Sequence, residues 1–569
     1  MAVAGDEALA GPVTGRTQGI SRLDPNATIQ AELHLNTSIP GAFDGADVGT
    51  AIGADTFYDI GITGENAIVS NIEAGHMWGG HESLSHVTNR TNHSTAPGTG
   101  WATPAYDRHA TWVGMMMGGR QTASGSGTWQ RGIAPQTDLR SGALATEWAD
   151  PAYSTSFSMT GDSWVTPFTA TASGVGTADA INCSWGFTDT AGVNAFTVGM
   201  DALANKNPST TLVVSAGNSG PSANTIGAPG SGYNAITVGA LRNDGENHYG
   251  SVASFSSRGP QDYGDPANGT VADVRAAVDI CAPGTDLTAA YYGGQSGGND
   301  PLLSGSSNLD GSDYYAAGLQ GTSFAAPIVA GGVALMNSAS RAQSLPATSR
   351  DARVIKANLL NAADKLTGWT NGQQAHPNGH GGVRTTQSLD YETGAGALNL
   401  TATHGQYLAG QTDIDGVDGG TTSQARGWDY ATVGLNETTD IVIDTDLLGG
   451  SEFRATLAWF RERDMAYPSV YDDAFANLSL GIWDATFTTL YADSLSAYNS
   501  VEHLTFDLPA SGRYGIRVSY PDNVFDYVDL AEEQFAVAWS GTAVPEPATL
   551  GLLAMGGLAM LRRRGRRVR

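Results

Sequence analysis

The chain has 569 residues, with 56 acidic against 29 basic side chains, a formal net charge of −27 and two cysteines. That length exceeds one ordinary core, so more than one domain is expected. The acidic balance opposes nucleic acid as a partner, and two cysteines are too few for a disulfide framework.

In chain order, residues 1–60 form an N-terminal extension. Residues 1–20 lack the basic start and apolar run of a signal peptide, so either the start codon is misplaced or a leader is missing. Gly64-Glu65-Asn66-Ala67-Ile68-Val69-Ser70-Asn71-Ile72-Glu73-Ala74-Gly75 reads as a short strand that ends in a carboxylate, Glu73, followed by a Gly turn. His76, His81, His86 and His93 follow in a Gly/Thr/Asn-rich stretch whose spacing fits no zinc template, and they are read as surface loop. His109 opens a helix of small residues with an apolar face, and Trp112 on it is read as packing. Ile181-Asn182-Cys183-Ser184-Trp185-Gly186 is a core strand, followed by a helix over 191–206. Buried strands follow at 211–215, ending at Gly217 and Asn218, and at 235–240.

Gly321-Thr322-Ser323 then turns into an apolar helix over 323–338. This alternation predicts an α/β domain over 61–404, a parallel sheet with helices on both faces. Short alternating strands at 454–460, 504–508 and 512–518 predict an antiparallel β-sandwich over 405–542. Cys183 and Cys281 fall in core strands and are expected as buried free thiols, with a disulfide pair between them as the alternative.

Four of these segments supply four roles in one mechanism. A Ser at a helix N-terminus lies beside unpaired N–H groups that favour developing negative charge. An imidazole serves as its base, a carboxylate at a strand end can orient that imidazole, and an amide side chain can donate to an oxyanion. As a rival, Gly-Thr-Ser before a buried helix serves as a simple cap.

The order Glu73, His109, Asn218, Ser323 and the flanking motifs resemble the subtilisin-like serine proteases (peptidase S8, subtilases) over roughly residues 60–400. Ala253-Ser254-Phe255-Ser256-Ser257-Arg258-Gly259-Pro260 and Asp279-Ile280-Cys281-Ala282-Pro283-Gly284 belong to the same series. The resemblance implies catalytic Glu73, His109 and Ser323, with Asn218 in the oxyanion hole and Ser184, Trp185, Gly186 and Gly217 contacting substrate. Trp185 either lines a side-chain subsite or packs in the core. Glu73 stands where the family has Asp, one methylene longer; Asp59, Glu82 and Asp107 fit the strand-end position less well. Ala110 and Trp112 replace the family's usual Gly and His.

The function expected is exported endopeptidase activity on protein or peptide substrates, with a catalytically silent surface binding protein as the alternative. No cofactor is needed for the chemistry. The family often carries structural calcium, and the acidic segments 262–273 and 297–313 offer oxygen ligands, although neither has an EF-hand pattern. The sandwich resembles the one that follows the protease domain in larger relatives, with carbohydrate binding as a rival role.

Val544-Pro545-Glu546-Pro547, fourteen mostly apolar residues and an Arg cluster within 543–569 resemble a PEP-CTERM sorting signal. It implies an exosortase-type partner, transient membrane anchoring and an extracellular or cell-surface location. A plain tail anchor is the rival reading.

Overall fold

The computed structural model describes residues 18–33, 47–92, 106–120, 131–148, 156–245, 248–290, 315–412 and 424–545. His93, the acidic segment 297–313 and nearly all of the sorting segment lie outside the described residues.

Ile68–Glu73, Ala180–Cys183 and Thr211–Ser215 are apolar runs buried along almost their whole length. Strands covered on both faces pair most readily in parallel. Here they do so: Asn182 faces Val213 on one side and Asn71 on the other. Asp138–Ala143 and Arg90–Asn92 extend one edge. Ile236–Arg242 and Ile280–Pro283 extend the other, and among the described residues only Ser251–Val252 runs antiparallel in this sheet.

Successive residues face opposite layers. Val213 joins Val69, Val238, Val113 and Ile328 in the layer built by helices Arg108–Gly118 and Thr322–Ala342. Leu212 and Val214 instead meet Trp164, Phe168 and Phe196 from helices Gly161–Thr169 and Ala195–Lys206. The fold class is the expected one. Thr322–Ala342 is long and apolar enough to cross a membrane, but as the central helix it is buried from Thr322 through Ser340. Gly331 lets it pack closely: a Cβ there would lie 2.6 Å from Ile133 Cβ.

The helix expected from 191 begins at Ala195. Asp189 gathers the N–H groups of Gly192, Val193 and Asn194 and the Thr197 hydroxyl into a turn, and Asn194 caps the helix at Phe196 N. Cys183 and Cys281 are buried free thiols.

The C-terminal region is an antiparallel-rich sandwich. One sheet orders Arg426–Gly434, Glu532–Ser540, Glu452–Trp459 and Val501–Asp507. The other centres on Ser469–Asp484 and Tyr514–Asp526. Leu457, Trp459, Phe475, Leu480, Val518 and Trp539 fill the space between them. The second sheet also takes in Gln374–Ala375, Val383–Thr385 and, from the N-terminal extension, Ile20–Arg22.

Candidate active site

Glu73 is the last residue of its strand and is fully buried. A buried carboxylate needs partners for both oxygens. Oε2 lies 3.1 Å from His109 Nδ1, and Oε1 accepts the Ser184 N–H at 2.9 Å. The longer side chain therefore reaches the imidazole while the next strand's backbone fixes its far oxygen.

His109 stands in the first turn of Arg108–Gly118 because Asp107 caps that helix. Asp107 accepts the His109 N–H at 2.8 Å and the Ala110 N–H at 2.9 Å on separate oxygens. Burial pushes the Asp107 carboxyl up to about 7, with His109 pulling it down and Glu73 pushing it up. His109 Nε2 is buried and has no hydrogen-bond partner, leaving it available as a proton acceptor. The donor atoms of Glu73, Asp107 and His109 lie within 4.8 Å of one another, a spacing that could hold a metal ion. All four carboxylate oxygens, however, are already used by N–H groups or the imidazole.

Ser323 sits in the first turn of Thr322–Ala342. Its hydroxyl donates to the Ser184 carbonyl at 3.0 Å, and the Ser184 hydroxyl donates to the Ser323 carbonyl at 3.0 Å. The Ser323 hydroxyl is thus held by the neighbouring strand end, while Phe324 brings its ring to 6.2 Å from the His109 ring. Asn218 Oδ1 accepts the Thr322 N–H and hydroxyl, both at 3.0 Å, which turns its NH₂ group the other way. That Nδ2 is buried without a partner, and an unpaired buried donor is costly unless something uses it. Gly217, at φ 107°, donates to the Thr322 hydroxyl at 3.2 Å. The carboxyl ends of parallel strands are where such folds build sites, and Glu73, Ser184, Gly217 and Asn218 all stand there.

Ser184 bonds Ser323, and Trp185–Gly186 follows it directly as a short strand. The Trp185 indole is buried, donates to the Ile72 carbonyl at 2.9 Å and meets Phe157 edge-on. Trp112 is buried between Phe324 and the Arg108 guanidinium.

One expectation needs revision, and one residue that was set aside has another role. His76 and His81 are buried rather than on a surface loop: His76 Nδ1 bonds Ser141 Oγ at 3.1 Å, and His81 Nδ1 bonds Ser83 Oγ at 2.8 Å. Local polarity hid them, because their partners come from the sheet edge and a short turn. Asp107, set aside as a strand-end acid, holds the base's helix instead. Its signal was an Asp two residues before His109 at a helix start.

A doubly wound α/β protein with Ser, imidazole and buried carboxylate gathered at its strand ends is the class that fold and site define. Residues 64–383 match the subtilase family model, and the chain belongs to that family. Residues 543–567 match the PEP-CTERM protein-sorting motif. Serine protease AprX of Bacillus subtilis (strain 168) is 38% identical over 164 residues, 27% of this chain and 30% of that protein. Subtilisin of Bacillus sp. (strain TA39) is 40% identical over 83 residues, 15% of this chain and 19% of that protein. The chain thus spans less than a third of the length of each of these curated relatives.

Proposed function

We propose that the chain is an exported serine endopeptidase. Ser323 turns from the Ser184 carbonyl toward His109, which takes its proton at Nε2 as Oγ attacks a peptide carbonyl carbon. Asn218 Nδ2 and the Ser323 N–H stabilise the oxyanion. Collapse breaks the C–N bond, the leaving amine takes the proton from His109, and water then releases the acid and restores Ser323. Glu73 keeps the imidazole oriented. The observation that carries this reading is the buried Glu73–His109 pair at 3.1 Å, beside an Nε2 without a partner.

Substrate would lie extended along Ser184, Trp185 and Gly186, with Gly217 bordering the site. The chemistry needs no cofactor. Structural calcium would act on stability alone, and in the segment 262–273 Asp265 already accepts two backbone N–H groups of its own turn. The sorting motif supports export, recognition by an exosortase-type enzyme and membrane anchoring through the tail until processing.

A fluorophosphonate probe tests this directly. Labelling of the wild type, its loss in Ser323→Ala and a fall in casein hydrolysis of about 10⁴-fold in Glu73→Ala are expected, the scale seen on removing a subtilisin's triad carboxylate. No labelling of folded wild type, with or without calcium, would sink the reading in favour of a silent binding protein.

A further inference from the structure

The outer face of the second sandwich sheet carries a platform that peptide hydrolysis does not use. Along Ser469–Asp484 and Tyr514–Asp526, Leu480, Ile482, Ile516 and Val518 point into the sandwich core, as does Ile441 of Thr438–Val442. Alternate residues of these strands therefore face outward. The register sets them in three rows. Trp483, Gly515 and Val442 make an apolar row, and Gly481, Arg517 and Asp440 make the next. Ser479, Ser519 and Thr438 follow as a row of hydroxyls. Four residues of strand separate the first row from the third, about 13 Å.

Both glycines let an aromatic ring lie down on the sheet. A Cβ at Gly481 would come within 2.7 Å of Trp483 Nε1, and one at Gly515 within 2.6 Å of Phe487 Cε1 and Cζ. Phe487 reaches that position from a turn in which Asp484 accepts the N–H groups and the hydroxyls of Thr486 and Thr488. Its own φ is 56°, a left-handed conformation that is costly for a bulky side chain and persists only where the surroundings over-determine it.

Between the rings lies a cation whose direction is fixed. The Arg517 guanidinium is 5.0 Å from the Trp483 ring centre and 4.8 Å from that of Phe487. Asp440 accepts from its Nε and its Nη2, both at 2.6 Å. Arg517 Nη1 and the Trp483 indole N–H have no hydrogen-bond partner among the described residues. Both rings are half-buried, and Arg517 and Asp440 are 25% and 32% exposed, so a ligand can reach all four.

We propose that this face binds a neutral polysaccharide. Sugar rings offer flat C–H faces that stack on aromatic rings, and hydroxyls that accept from Arg517 Nη1 and the indole and exchange hydrogen bonds with the hydroxyl row. Charge narrows the class. Arg517 is neutralised by Asp440, and further along the same row Arg384 is neutralised by Asp493 at 2.5 Å. On a chain of net charge −27 such a face gives an acidic polymer no attraction. A protein partner would have to bury the charged row at the centre of its interface, where charges are depleted. The inference is independent of the hydrolase reading.

The full chain carrying Ser323→Ala tests it by sedimentation with insoluble cellulose, chitin and xylan, and with alginate beads as the acidic comparison. Retention on at least one neutral polymer, unaffected by high salt and reversed by the matching soluble oligosaccharide, is expected. Trp483→Ala and Arg517→Gln should each weaken it roughly tenfold, while Trp483→Phe keeps most of it. Gly481→Ala, which lifts the indole without removing it, should weaken it as well, and a melting temperature equal to the parent's shows that a variant is folded. No retention on any neutral polymer, retention on alginate alone, or parental retention by both Trp483→Ala and Gly481→Ala overturns the proposal.

Discussion

Beside His109 the interior holds two carboxylates, and one of them titrates within reach of neutral pH. Burial raises the Asp107 carboxyl from 3.8 to about 7. The folded chain thus keeps a proton that the unfolded chain has already lost, and stability declines as pH rises across that interval. Asp107→Asn abolishes the titration and retains one oxygen for the cap. Its melting temperature relative to the parent should improve between pH 4 and pH 8, as read by calorimetry; a constant difference would contradict this. At this scale much was legible. Glu73, His109 and Ser323 stood out because each sits where a strand or helix ends beside small residues. The hydroxyl's rest position on Ser184 was not legible, since it depends on a contact 139 residues apart in the chain.

Elements were readable where their apolar period was unbroken and less so where side chains rewrite the backbone. The strand Thr211–Ser215 falls where its apolar run placed it. The strand expected over 512–518 spans Tyr514–Asp526, because its partner Ser469–Asp484 carries the pairing past the apolar run through two irregularities. Close helix packing allows a sharper forecast. Gly331→Val would drive a side chain into Ile133, and overpacking of this kind costs about 1–3 kcal/mol. Chemical denaturation should show that loss. A neutral result would mean that the helix Thr322–Ala342 can shift away from residue 133.

For the whole molecule, the joint between domains was the part hidden from sequence. Arg461 and Arg463, both fully buried, grip Asp472, and Arg463 also reaches Asp201 at 2.9 Å, 262 residues away. Burial alone would raise the Asp472 carboxyl, but the two guanidinium groups hold it below its ordinary range. The stabilisation is therefore complete above the ordinary Asp value and fades as pH falls through the lower folded one. Removing one partner of such a buried set costs about 3–5 kcal/mol. Arg463→Ala should split a single thermal transition into two; one unsplit transition at the parent temperature would refute a joint of this strength.

The sandwich sheet borrows Ile20–Arg22 from before the catalytic residues and Gln374–Thr385 from after them. The two halves are consequently interleaved like clasped hands rather than threaded like beads. Residues 405–542 produced alone would lack three strands of that sheet and bare the edge along Ser469–Tyr471. Such a fragment should self-associate, whereas one extended back to residue 370 and supplied with a peptide of residues 18–24 should stay monomeric in light scattering.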